Sequence, residues 1–430
     1  MRTRATLSLL LMSPLITFIA CSKAESNDLV SEQSILSESD RVPSTVAPAA
    51  LAPWKSELLR LAFDAASKFP INPHKKNRGR VQDLVVSTCF ELDQPNLALS
   101  FAPRIVGWRR GVAFADYAWC CAKQGDGKGV AQYVRLAESV LSDMAADPTA
   151  QEWRADKVLH KIARAWSALG QIEKASVALR KVDPTSSGAV DAGWSDTVAS
   201  RVEHLTKADA RDELRRIENV FLAQSLGEQF TSLLIIGAVY DRFYQEEGLR
   251  SFAAELILER FVKLPPKLRL DVMAKLVATH IRFDDKPGAY EVIRQMDELI
   301  SSFNWRAEEL LPERARIAKL MFDAGHPELA KQELEKSLLH YHEHRDEVVN
   351  IYRCETLRSL AIAWHHIGVF DRANDLMEVA LEEGLENPNS RPRCDDLVES
   401  CLALVRAGMQ PSEDLWRRVK EISKALGEPW

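Results

Sequence analysis

The stretch LHKIARAWSALGQIEKASVALRKV (Leu159–Val182) decides the fold class of this chain. Its apolar side chains before Gly170 recur at intervals of three and four residues, which places them on one face of a helix, and those after Gly170 do the same. The next residues are Asp183 and Pro184, and proline ends a helix because it lacks the amide hydrogen and its ring clashes with the preceding turn. The stretch is therefore predicted to form one helical hairpin.

The same arrangement recurs roughly every forty residues, which is typical of a repeat architecture. A glycine or aspartate at a turn is followed, five positions later, by a small or aliphatic residue, in the pairs Gly125 with Val130, Gly170 with Ala175, Gly248 with Ala253, Asp284 with Ala289, Gly325 with Ala330 and Gly368 with Ala373. The turn favours a residue that tolerates left-handed backbone geometry. Because a single hairpin cannot bury its own apolar face, the hairpins are expected to stack.

This pattern resembles the tetratricopeptide repeat most closely in three stretches: Ala118–Asp126, Val158–Val182 and Ser359–Leu381. The resemblance extends from Gly111 to the carboxyl end. It implies an all-α fold over residues 54–430, a right-handed α-solenoid of stacked helical hairpins, whose usual role is to present a surface to other proteins.

Some positions depart from the family's pattern. Asp241 and Val277 stand where the family has glycine or alanine. The hairpins are also spaced more widely than the family's period of about 34 residues, so a HEAT-type helical repeat is the alternative. The last repeat of a stacked array exposes one face to water, and Leu402–Ile422 is the expected terminal repeat.

The amino terminus has the composition of an export signal. Arg2 and Arg4 precede the apolar stretch Ala5–Ala20, which is short for a membrane span of about 20 residues but suits a secretory signal peptide. Residues 1–20 are therefore predicted to be a signal peptide.

The end of that apolar stretch, Phe18–Ser22, resembles the lipobox of bacterial lipoproteins. The resemblance implies that Cys21 is diacylated and becomes the new amino terminus. Ordinary signal cleavage after Ala24 is the alternative. With lipidation at Cys21, the protein is expected to be exported across the cytoplasmic membrane and anchored to a membrane, facing the periplasm or the cell exterior.

Residues 21–53 are predicted to be a disordered tether. This segment contains no aromatic residue and is dominated by Ser, Glu, Asp, Ala and Pro, so it cannot bury enough apolar surface to offset the entropy lost on ordering. A flexible chain of this length reaches on the order of 30 Å. The tether would hold the folded domain close to a membrane.

The charge of the chain argues against a nucleic-acid partner. The formal net charge is −6, with 46% hydrophobic and 27% charged residues, which is the balance of a folded soluble protein. A nucleic-acid-binding protein needs a basic surface to replace counterions on phosphate. The basic stretch His74–Arg80 is interpreted as a solvated loop.

The sequence lacks the motifs that indicate a cofactor. No CxxC pair is present, so a zinc or thioredoxin-like site has no support, and at least one of Cys120 and Cys121 is expected to be a small core residue. The glycine-rich stretch Gly125–Gly129 lacks the preceding strand and the Ser or Thr of a phosphate-binding loop. We therefore predict no cofactor.

One segment of the chain, His340–His344, is rich in histidine. His340 and His344 are four residues apart, so on a helix they share a face and could bind a metal ion with one further ligand. The HExxH motif of a hydrolytic zinc site is absent. The alternative is a polar helix end followed by a solvated loop, and from the sequence we predict no metal site, with His340 and His344 as the candidates.

Trp108 has arginines close by in the sequence, at Arg104, Arg109 and Arg110. Tryptophan and arginine often dominate the binding energy of protein interfaces. We predict that this group contacts a partner, with packing between repeats as the alternative for the tryptophan.

Together these patterns predict a lipid-anchored, helical-repeat scaffold that mediates protein–protein interaction and is not an enzyme. Its partner would be an unknown protein or peptide, with the membrane contacted through Cys21. One alternative is an enzyme or metal-binding protein on a helical-repeat toroid, in which His340 and His344 converge with acidic neighbours. A second is a cytoplasmic tetratricopeptide regulator whose apolar start is not a signal.

Overall fold

The computed structural model describes residues 51–146, 151–183, 202, 205–224, 226–260 and 264–430. Within these ranges the chain is all helical and contains no β-strand, which confirms the predicted all-α class. The helices are α1 (Pro53–Ala66), α2 (Ile71–Glu91), α3 (Pro95–Phe101), α4 (Arg109–Lys123), α5 (Gly127–Ala145), α6 (Glu152–Ala168), α7 (Ile172–Leu179), α8 (Lys207–Val220), α9 (Leu226–Arg242), α10 (Glu247–Glu255), α11 (Pro266–Arg282), α12 (Lys286–Ser301), α13 (Ala307–Asp323), α14 (Pro327–His344), α15 (Asn350–His366), α16 (Phe370–Leu385), α17 (Ser390–Ala407) and α18 (Glu413–Ala425).

The predicted signal peptide (1–20) and nearly all of the predicted tether (21–53) lie outside the described residues, as does Cys21. The tether's predicted end coincides with the first helix, because Pro53 is the first residue of α1. Proline is favoured there, since its missing amide hydrogen would have no partner in the first turn.

The turn residues take the geometry that the repeat pattern predicts. Five of them have a left-handed backbone: Gly125 (φ 74°), Gly170 (φ 75°), Asp284 (φ 57°), Gly325 (φ 89°) and Gly368 (φ 85°). After each, the next amide donates to a carbonyl five residues back, at 2.9 to 3.0 Å, the bond of a Schellman turn. The small residues that follow, Val130, Ala175, Ala289, Ala330 and Ala373, are all buried.

The prediction for Gly248 is wrong. Gly248 is the second residue of α10, and the connection before it ends at Glu246, the residue that precedes the helix. Ala253 is buried, but it lies one helical turn further along α10 than its counterparts do in their helices. The sequence alone does not distinguish a glycine in the first turn of a helix from a glycine in the connection that precedes the helix.

The hairpins stack through their first helices. Helix α4 contacts α6, α9 contacts α11, α11 contacts α13, α13 contacts α15 and α15 contacts α17. Alternation of hairpin contacts and first-helix contacts is the packing of a helical repeat. Two clusters of buried apolar side chains fill these contacts.

The two helices of the segment Leu402–Ile422 differ. Helix α18 exposes Glu413, Asp414, Arg417 and Glu421 to water, as expected of a terminal repeat, whereas α17 is covered. Helix α1 packs against α17, and α2 contacts it as well. Leu402 is fully buried, and the Cys394 thiol donates to the Ala65 carbonyl at 3.4 Å across 329 residues of sequence. One apolar cluster therefore contains residues from both ends of the described chain. The cover of α17 comes from apolar side chains on α1, a helix that precedes the segment resembling the repeat family.

Two smaller predictions are also resolved. The basic stretch His74–Arg80 belongs to α2 rather than to a loop, although the backbone near its start is irregular at Asn72 and His74. Cys120 and Cys121 are both buried, in agreement with the core interpretation. All six cysteines in the described residues are free.

The contact between α1 and α17 yields a first prediction. Deleting residues 53–66 is expected to accelerate amide hydrogen exchange in α17, because an apolar helix face loses its cover and opens more readily. Exchange followed by mass spectrometry measures this, with α4 and α5 as the internal reference. Deletion of residues 1–50, which retains α1, is the control, and equal protection of α17 in both truncated chains would contradict the role of α1.

Candidate binding surface

Charged side chains join the first helices of neighbouring hairpins. Each carboxylate meets a basic side chain of the adjacent helix, in the pairs Asp241 with Arg282, Asp271 with Arg316 (2.6 Å), Asp323 with His366 (2.7 Å), Glu399 with Arg358 (2.6 Å), Asp395 with Arg80 (2.8 Å), Asp83 with Arg109 (3.3 Å) and Asp116 with Lys161 (2.9 Å). Exposed ion pairs contribute only about 0.2–1 kcal/mol each. Their main effect is to match each first helix to its neighbour.

On the surface formed by α2, α4 and α6, several cations lie around one tryptophan. Asp116 of α4 is shared by two cations of α6, Lys161 at 2.9 Å and Arg164 at 3.8 Å. We call the group of Asp83, Arg109, Asp116, Trp119, Lys123, Lys161 and Arg164 the α4–α6 basic cluster. Its side chains are accessible but poorly solvated, since the exposed fraction of Arg109, Lys161 and Arg164 is 17–21%.

Trp119 lies at the centre of the cluster, half-buried. The guanidinium carbon of Arg164 is 3.6 Å from the ring centroid, and the ammonium of Lys123 is 3.8 Å from it. Lys123 is four residues further along α4, so it reaches the same helix face, whereas Arg164 approaches from α6. Cations at these distances are attracted by the ring's quadrupole.

The environment of the cluster disfavours isolated charge. Burial raises the pKa of Asp83 to about 6, although Arg109 and Lys157 oppose the shift. Burial also lowers the pKa of Arg109, with Asp83 opposing. A negatively charged group brought to this surface would therefore meet cations that water solvates incompletely, where electrostatic attraction is stronger than at an open surface.

The structure brings together part of the predicted partner patch. Trp108 is buried, packs edge-on against Trp153 at 5.4 Å, and has the Arg109 guanidinium over its ring at 4.5 Å. Arg110 pairs instead with Asp143 at 3.6 Å.

Arg104 lies elsewhere, paired with Asp64 at 2.9 Å and stacked over Phe63. Of the four predicted residues, Arg109 thus belongs to the α4–α6 basic cluster, and the buried ring of Trp108 contacts the Arg109 guanidinium. The contributions of α6 were missed because only the contact between two hairpins brings Lys161 and Arg164 beside α4.

A polar network links α9 to the turn between α11 and α12. Tyr240 Oη and Tyr244 Oη lie 2.7 Å from the two ring nitrogens of His280, and Tyr244 donates to Asp285 at 2.7 Å. Nδ1 of His280 also lies 2.9 Å from Asp285 Oδ2, so hydrogen-bonding partners engage both nitrogens of the imidazole. The hydrogen bond from Tyr244 lowers the pKa of Asp285 to about 2. The four side chains hydrogen-bond to one another, and the network fixes one hairpin against the next.

A second polar cluster is buried between α15 and α17. The Cys354 thiol lies 3.8 Å from Ser400 Oγ and from the guanidinium of Arg358. Burial raises the pKa of Cys354 to about 12, which keeps the thiol protonated and unreactive. The neighbouring Asp396 is buried with its Oδ2 lacking a hydrogen-bond partner, and it fits because Gly384 has no side chain in its way.

The candidate metal ligands are close together. His340, Glu343 and His344 at the end of α14 have donor atoms that all lie within 4.8 Å of one another. The ring centroids of His340 and His344 are 4.4 Å apart. The sequence had indicated the two histidines but not Glu343 as the third donor.

Comparison with protein-family models, with characterised proteins and with solved structures finds no match to this chain. Among the described helices, none combines the length and the apolarity needed to cross a bilayer.

The buried Asp396 gives a prediction about pH. Burial raises its pKa to about 7 although Arg358 opposes the shift, whereas an unfolded chain has an aspartate pKa of about 3.9. Between these values the folded protein holds a proton that the unfolded chain has lost, so stability declines as pH rises towards 7.

Asp396→Asn is expected to remove that decline. At about 1.4 kcal/mol per pKa unit, the variant should exceed the parent in free energy of unfolding by on the order of 4 kcal/mol at pH 8, and match it at pH 4. Urea denaturation at both pH values measures the difference. A variant less stable than the parent at pH 8 would show that attraction to Arg358 outweighs the cost of burying the charge.

Proposed function

We propose that this protein is a non-catalytic, α-solenoid scaffold that is exported, anchored to a membrane through a lipid on Cys21, and binds an acidic segment of a partner protein. The observation that carries the proposal is the α4–α6 basic cluster. There Arg109, Lys161 and Arg164 lie against the carboxylates of Asp83 and Asp116, and Arg164 and Lys123 also lie over the ring of Trp119.

The chemistry of the cluster fits a peptide better than a small metabolite. Trp119 offers an aromatic surface with Arg164 and Lys123 against its ring, and tryptophan and arginine are the residues that most often dominate binding at protein interfaces. An extended acidic segment could place carboxylates against the cations and an apolar side chain against the indole. The lipid anchor and the tether would keep such a complex at the membrane.

Binding at this surface is tested by crosslinking and affinity capture from native membranes, with the full-length chain as bait. Changing Lys161 and Arg164 together to Gln is expected to reduce recovery of the partner at least fivefold, because two of the cations that would meet acidic side chains are lost while side-chain size is nearly kept. Recovery by the parent should also fall with added salt, which screens accessible charges.

Arg282→Gln is the matched control, since it removes a cation that also joins two first helices, through its pair with Asp241. It should leave recovery unchanged. Equal losses with Arg282→Gln and with the double variant, or full recovery with the double variant, would refute binding at the basic cluster.

The anchor is tested separately. In the source cell, Cys21→Ser is expected to abolish incorporation of a labelled fatty acid and to release the chain from the membrane fraction, because each acyl methylene placed in lipid contributes about 0.8 kcal/mol. Ser22→Ala is the control and should be labelled like the parent. Persistent labelling of Cys21→Ser would place the lipid elsewhere, and an unlabelled parent would remove the anchor from the proposal.

A further inference from the structure

The carboxyl-terminal end of α14 assembles three side chains of the kind that bind transition metals. His340, Glu343 and His344 are spaced so that all three lie on one side of the helix. Their donor atoms lie within 4.8 Å of one another, a separation that small side-chain rotations can close to the spacing of ligands around one ion. Two imidazoles and a carboxylate are ligands that suit zinc.

The surroundings favour a cation at this position. The helix ends at His344, and the unpaired carbonyls of a helix carboxyl terminus carry partial negative charge. Glu347 follows in the next turn, with its carboxylate 3.2 Å from Nδ1 of His344. It can orient that imidazole, as carboxylates do for many metal-binding histidines, or approach the ion as a further ligand.

The positive charges nearest the site are already engaged. Arg314, which acts on His340, pairs with Asp297 and with Glu333 at 3.4 Å. Arg345, next to His344, is held by Glu383 at 2.7 Å and by Glu386.

We propose that His340, Glu343 and His344 bind a divalent transition-metal ion of the zinc class at the end of α14. The ion is held by two imidazole nitrogens and one carboxylate oxygen. A three-ligand site leaves a position for water or for a donor from another molecule. The site is separate from the α4–α6 basic cluster and does not depend on the proposed partner.

The test is a zinc titration of the full-length, untagged chain in detergent after treatment with a chelator. Competition with a chromogenic chelator reports stoichiometry and affinity. One equivalent of Zn²⁺ is expected to bind, and His340→Ala and His344→Ala should each weaken binding at least tenfold. His342→Ala is the matched control, because His342 is an exposed histidine on the same turn of α14 that is not a member of the cluster.

Cobalt replacing zinc gives a second measurement. A site of nitrogen and oxygen ligands should show Co²⁺ ligand-field bands without the thiolate charge-transfer band that cysteine ligands produce. Far-UV circular dichroism confirms that each variant keeps its helix content. The proposal fails if no stoichiometric binding occurs, if His342→Ala weakens binding as much as His344→Ala, or if the cobalt spectrum shows a thiolate ligand.

Discussion

The fold depends on covering the apolar faces of its first helices. A hairpin in the middle of a stack is covered by its neighbours, but a terminal one is not. Here α1 takes the place of the missing neighbour for α17, with Leu58, Leu59 and Phe63 all fully buried. Complete burial of such a side chain contributes about 1.5–3 kcal/mol, an upper value because unfolded chains are already partly compact. Residues at the two ends of the described chain therefore contribute to one core.

Electrostatics adds specificity to this packing rather than most of its stability. The ion pairs between first helices range from exposed ones, such as Asp241 with Arg282, to poorly solvated ones, such as Asp116 with Lys161. Each joins a carboxylate to a basic side chain of a particular neighbour. The Tyr240, Tyr244, His280 and Asp285 network does the same through hydrogen bonds. The α4–α6 basic cluster differs from these contacts because its cations also lie over the ring of Trp119, which is why it is the surface we assign to a partner.

What the sequence could predict follows from the range of each interaction. The left-handed turns at Gly325 and Gly368 are set by residues within one turn of each other, so a local pattern reveals them. The spacing of His340 and His344 is likewise local. The cover of α17 by α1 and the approach of Arg164 to Trp119 join distant segments, and no periodicity in either segment encodes its partner. Only the repeat spacing predicts Asp284 as a turn residue. Its residue type alone would not, because aspartate adopts left-handed geometry less readily than glycine.

Catalysis is the alternative to a scaffold role, and the two polar clusters around His280 and Cys354 bear on it. A reactive centre usually combines an accessible nucleophile or base with a pKa moved towards neutrality. Cys354 has the opposite character, because it is buried and burial raises its pKa to about 12. Both ring nitrogens of His280 are already engaged in hydrogen bonds with its tyrosine and aspartate neighbours. The groups assigned above to another molecule are the cations around Trp119 and the ligands at the end of α14. Both are suited to binding, which is the property on which the proposed scaffold role rests.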